Sequence, residues 1–107
     1  MTQSASPVTL CAALADETRW AILCRLGEGP RSASELAAEM APTRQGIAHH
    51  LAILAEAGLV AAERQGRNLR YRALGSQLSR LAHDLETIGR GWENRLDRLR
   101  TIAEERG

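Results

Sequence analysis

Arg44, Gln45 and His49 stand close together at the start of "TRQGIAHHLAILAEAGLV", Thr43 to Val60. An arginine can hold guanine through two hydrogen bonds, and a glutamine can do the same for adenine, both at base edges in the major groove. Ala48 and Ala52 share that side and Gly46 lies beside it, so the backbone can come close to a surface. Adjacent His49 and His50 do not chelate easily, because neighbouring helical residues point about a third of a turn apart. No Ser-His-Asp order, paired carboxylates or Gly-rich phosphate loop occurs elsewhere in the chain. The chemistry on offer is recognition, and the sequence predicts no enzyme.

Such residues must be held by a helix with an apolar back. Ile47, His50, Leu51 and Leu54 have the i, i+3, i+4, i+7 spacing of a core face. Thr43 is a natural N-cap after the Ala41-Pro42 break, and Gly58 suits the position just past the end. Upstream, "SASE" (Ser32–Glu35) is an S-x-x-E capping box that opens a short helix, Ser34 to Met40. Helix, short turn and helix place Arg44 and Gln45 in the first turn, where a recognition helix reaches bases. The expected base contacts are Arg44, Gln45, Ala48 and His49.

Two earlier helices are expected, Val8 to Leu14 and one capped by Asp16 with Ile22, Leu23 and Leu26 inward, stopped by "GEGP". After Gly58 the period becomes two. "LVAAER" and "NLRYRAL" flank "QGRN", which predicts a hairpin. Leu69, Tyr71 and Ala73 point one way, Arg70 and Arg72 the other. With Arg64, Arg67 and Asn68 this is a basic wing, suited to phosphates or a minor groove. Ser32, Thr43, Arg64, Arg67, Asn68 and Arg70 are the expected phosphate and wing contacts.

From Gln77 a helical seam returns: Leu78, Leu81, Leu85, Ile88 and Trp92, then Leu96, Leu99 and Ile102 after a slip. Gly89 and Gly91 interrupt it at ~1 kcal/mol each relative to Ala, and the sequence does not decide whether the helix runs on through them. The predicted architecture is mostly α, a winged helix-turn-helix in the order α-α-α-α-β-β-α. One domain spans 1–107, with the helix-turn-helix at 32–57, the wing at 59–74 and dimerisation helices at 8–14 and 76–103. A chain of 107 residues buries a modest core, so the spare face of the seam is expected against a second copy. Leu10, Leu78, Leu81, Leu85, Ile88 and Trp92 are the expected interface.

Charge supports the same placement. The net charge of +1 conceals an excess of three positive charges over residues 43–72, where five arginines meet Glu56 and Glu63. All 14 basic residues are arginine, so every cation can make planar, bidentate hydrogen bonds. No apolar run approaches the ~20 residues of a membrane span, and the N-terminus lacks the basic flank and apolar core of a signal peptide. A cytoplasmic setting with reduced thiols is expected.

"LADETRWAILCRL", "SASELAAEM", "TRQGIAHHLAILAEAGLV" and "ERQGRNLRYRAL" together resemble the ArsR-type winged-helix repressors of bacteria, from about Leu10 to Leu74. The tail "IGRGWENRLDRLRTIAEE" resembles the Trp-containing last helix of a non-metal branch of that family. The resemblance implies a homodimer joined through the first and last helices, set on an inverted repeat of double-stranded DNA and repressing its own operon. It places Thr43, Arg44, Gln45, Ala48 and His49 at DNA-facing positions; Gly46 departs from the family's usual Ser or Thr. The family's thiolate metal site has no counterpart, since "ELAAEM" contains no cysteine. Its zinc site needs more than His83, Asp84 and Glu86. No metal and no cofactor are expected.

Cys11 falls among apolar positions and is expected buried, while Cys24 faces away from the core pair Ile22-Leu23. An alternative reading makes Cys11 and Cys24 a thiol switch answering an oxidant or metalloid. A second makes the chain a protein-interaction module whose basic wing binds an acidic partner. The sequence names no small-molecule effector.

Overall fold

A computed structural model describes residues 6–106; the expected domain span of 1–107 takes in residues 1–5 and 107, which lie outside them. Among the described residues the order is α1 (Pro7–Leu14), α2 (Glu17–Glu28), β1 (Arg31–Ser32), α3 (Ala33–Glu39), α4 (Arg44–Glu56), β2 (Val60–Gln65), β3 (Asn68–Ala73) and α5 (Gly75–Arg106). Polar residues start the first four helices. Ser6 accepts from the Thr9 N–H, Asp16 from Arg19, Ser32 from Glu35 and Thr43 from Gly46, each cap contributing about 1 kcal/mol. The Arg19 N–H is also the main reason the Asp16 carboxyl is held below its ordinary range, with the charges of Arg19 and His50 adding to it. Gly58, at φ 79°, turns the chain out of α4, and Gly66, at φ 63°, makes the tip of the β2–β3 hairpin. Both need the left-handed region that glycine enters without steric cost.

The core is aliphatic. Ile47, Leu51 and Leu54 of α4 meet Leu10 of α1, Ile22, Leu23 and Leu26 of α2, Leu36 of α3, Leu59, Val60 and Leu81. This burial fixes which side of α4 remains for the solvent.

The sheet has the order β1-β3-β2, all antiparallel. The hairpin was expected; β1 was not. Its two residues pair as Arg31↔Tyr71 and Ser32↔Arg70, and two residues are too few to carry a period-two signal. Ser32 thus ends a strand and caps α3 at once. That double duty ties the helix-turn-helix to the wing.

One point left open is decided, and two further expectations are corrected. The last helix runs unbroken for 32 residues, about 48 Å at 1.5 Å per residue, with no break at Gly89 or Gly91. Leu10 and Leu81, expected to face a partner, are 1% and 5% exposed. They are taken up by the subunit's own core because α1 packs on the near end of α5, and Leu78 packs partly against the same core. Leu85, Ile88 and Trp92 are exposed, as are Leu96, Leu99 and Ile102. Cys11 is exposed rather than buried, because α1 turns Leu10 and Ala13 inward and leaves Cys11 outside. Cys24 is exposed as expected. No helix among the described residues is long and apolar enough to cross a membrane.

Candidate nucleic-acid interface

The Thr43 hydroxyl accepts from the Gly46 N–H at 3.1 Å and sets the start of α4. With Ile47, Leu51 and Leu54 buried, Arg44, Gln45, Ala48 and His49 are all exposed. His50 turns back instead, half-buried, with Nδ1 3.3 Å from Arg19 Nη1. Across from α4 stands the wing. Arg44, Gln45 and Ala48 form one wall of an open trough and Arg67, Asn68, Leu69 and Tyr71 the other, above Ser32, Ala33 and Ser34. Among the described residues Arg44 and Arg67 form no ion pair, so their charges are available to an anion.

The structure thereby brings together Arg44, Gln45, Ala48, Ser32, Arg67 and Asn68. His49, Thr43 and Arg64 are exposed but do not line the trough. Leu69 and Tyr71 do line it, and sequence reasoning missed them as site residues. The alternation that set Leu69 and Tyr71 on one side, extended back to Arg67, was the signal available.

Arg70 is a correction. Its Nη2 donates to the Pro30 carbonyl at 2.8 Å and lies 3.4 Å from Glu35 Oε1. The pairing of Ser32 with Arg70 carries the side chain over the start of α3, so it braces the wing rather than offering a free cation. Arg72 is held by Glu63. Ser32 also has prior duties, since its hydroxyl accepts from the Glu35 N–H at 3.1 Å and its own N–H donates to the Glu35 carboxylate at 3.0 Å. That backbone N–H, more than any other group, holds the Glu35 carboxyl below its ordinary range, with the Ser32 hydroxyl and the charges of Arg70 and Arg31 assisting. Among the described residues no group of three or more His, Cys, Asp or Glu gathers where a metal could bind.

A capped helix-turn-helix whose second helix presents arginine and glutamine beside a basic hairpin is a winged helix. A family model for a helix-turn-helix domain matches residues 14–62. The chain is 47% identical to an ArsR-like transcriptional regulator from Rhodococcus sp. RHA1, whose solved structure is similar with a TM-score of 0.84 over 91% of this chain and 92% of that one. It is 41% identical over 76 residues, 71% of its length, to the HTH-type transcriptional regulator CmtR of Mycobacterium tuberculosis, and the matched part spans 64% of that relative. A homodimeric winged helix-turn-helix DNA-binding domain from Mycobacterium bovis, a possible ArsR-family regulator, is 28% identical with a TM-score of 0.64, over 77% of this chain and 76% of that one. The chain belongs to the ArsR family of winged helix-turn-helix transcriptional regulators. Each of these relatives is described as a transcriptional regulator or a DNA-binding domain.

Proposed function

We propose that this chain works in the cytoplasm as a homodimeric, sequence-specific DNA-binding repressor of its own operon, seated on an inverted repeat. One observation carries the reading: α4 and the wing open onto a single trough, with Arg44 and Gln45 on one wall and Arg67 and Asn68 on the other. A helix entering a major groove by its first turn leaves a flanking hairpin beside the sugar-phosphate backbone. In this reading Arg44, Gln45, Ala48 and His49 face bases. Ser32, Thr43, Arg64, Arg67 and Asn68 face phosphates, and Arg70 positions the wing. Exposed apolar residues along α5 and the homodimeric relative support the second subunit, which supplies the second half-site. Repression of its own operon follows the pattern the family resemblance implies.

The test is fluorescence anisotropy on the DNA upstream of the gene and on a shuffled duplex, across a salt titration. Tight binding to the first with a steep salt slope supports the proposal, the slope counting the phosphates neutralised. Equal, weak binding to both overturns it in favour of a protein-interaction module.

A further inference from the structure

The C-terminal end of a helix is its negative pole, and a cation is stabilising there. The last turn of α2 holds Arg25 and that of α5 holds Arg106. α1 has no basic residue in its last turn, but Arg19 serves it from α2. Its Nε donates to the Ala13 carbonyl at 2.6 Å and its Nη2 to the Ala12 carbonyl at 3.4 Å. The end of α4 is different. Its last turn contains no basic residue and closes on Glu56, an acid at the pole where acids are unfavourable. Among the described residues Glu56 forms no ion pair.

The ends of α1 and α4 share one groove of about 340 Å³, a size that suits a small molecule. Ala12, Ala13, Ile53 and Ala57 line it with hydrocarbon, and Arg19 and Glu56 are its charged members. Arg19 is already committed, since beyond the two carbonyls its Nη1 lies 3.3 Å from His50 Nδ1. The charge left unanswered is the Glu56 carboxylate. Hydrocarbon walls with one such carboxylate fit a molecule that has an apolar body and a single cationic end. A metal ion does not fit, because no group of three or more His, Cys, Asp or Glu gathers among the described residues. An anion would meet Glu56 with no free guanidinium to balance it.

We infer that the groove between α1 and α4 is the seat of a small organic cation, an alkyl- or arylamine. Its ammonium lies against Glu56 and its hydrocarbon on Ala12, Ile53 and Ala57. The seat is placed to act on DNA binding. α4 carries Arg44 and Gln45 at its opposite end, and the Arg19 that lines the groove holds α1 and α4 together. An amine that favours the DNA-free arrangement of these helices lowers operator affinity by that preference. This coupling rests on the DNA-binding role proposed above; the seat itself does not.

The probe is phenethylamine, with phenethyl alcohol as its neutral counterpart and phenylpropionate as an anionic one. Each is titrated into the isotope-labelled full chain and followed by NMR. The amine should give saturable shifts centred on Ala12, Ile53 and Ala57, with the alcohol and the carboxylate clearly weaker. Glu56→Gln should weaken the amine about tenfold or more, the worth of a hydrogen bond to a charged group. Ala12→Leu, which fills the groove from an exposed position, should abolish binding. Equal binding of all probes, shifts centred elsewhere, no saturable shift, or full affinity in Glu56→Gln each overturns the seat. Anisotropy on the upstream DNA then reads the coupling. The amine should lower affinity about fivefold or more, the lower end of ordinary coupling between sites, and should have no effect on Glu56→Gln. An amine that binds without moving DNA affinity overturns the coupling. Wild type that fails to bind this DNA without any amine sinks the repressor reading, while the seat stands or falls on the NMR titration.

Discussion

Arg19 Nη1 lies 3.3 Å from His50 Nδ1, while Nε of the same guanidinium donates to the Ala13 carbonyl at 2.6 Å. One side chain of α2 therefore holds the end of α1 and the inner side of α4 together. Its pair with Asp16, at 4.0 Å, is at the limit of contact and adds little beside these. Arg19→Ala leaves a carbonyl and an imidazole short of a donor, and unmaking such bonds costs ~1–3 kcal/mol. Urea unfolding of the variant measures it. A loss below about 0.5 kcal/mol, the range of an uninvolved surface change, would show that the three helices hold their places without this clamp.

Arg44 and Arg67 face one another across the trough but should fail differently. Arg44→Ala is expected to cost ~1–3 kcal/mol on the operator and to relax selectivity at one position of each half-site. Arg67→Ala should weaken operator and random DNA alike and lower the salt slope by about one per site. Anisotropy on both duplexes separates them. Equal losses on both for Arg44→Ala would overturn its assignment to bases.

The α3 capping box makes a pH prediction. The folded Glu35 carboxyl lies below its ordinary value of 4.5, so its contribution to stability is complete above that value and fades as pH falls through the lower folded value. The stability gap between the wild type and Glu35→Gln should be constant near neutrality and close under acid, followed by urea unfolding at several pH values. A gap that widens as the pH drops would reverse the sign. Ser32→Ala, which removes the cap acceptor, should cost about 1 kcal/mol at neutral pH.

Gly46 offers a gain. A Cβ there would sit 3.4 Å from Thr43 Oγ1 and 3.8 Å from Pro42 Cβ, ordinary contact distances. Gly46→Ala should raise stability by roughly 0.5–1 kcal/mol through the lower entropy of the unfolded chain. A melting temperature that falls would mean the first turn of α4 needs more room than the free subunit shows.

How far these features were legible depends on how local their signals are. The Ser32–Glu35 box, the Thr43 cap and the αL turn at Gly58 are each written within four residues, and all are where the sequence puts them. The apolar back of α4 follows from its spacing. The role of Arg70 does not, because its partners Pro30 and Glu35 lie 40 and 35 residues away and meet it only through β1. Nor does the facing of α1, whose residues are apolar nearly all round and so carry no sidedness; Leu10 and Cys11 changed places for that reason. The continuity of α5 could not be decided from Gly89 and Gly91, because glycine propensity is a weak prior against a 32-residue helix.

The length of α5 that leaves the core has a further consequence for the life of a lone subunit. Beyond Leu81 no residue of that helix is buried within the described subunit, so in the proposed homodimer its packing comes from the second chain. A subunit without its mate frays first there, and a protease meeting it finds an extended, arginine-rich strand ready to cut. In the proposed dimer, the residues that pair two copies would also shield this stretch from cleavage.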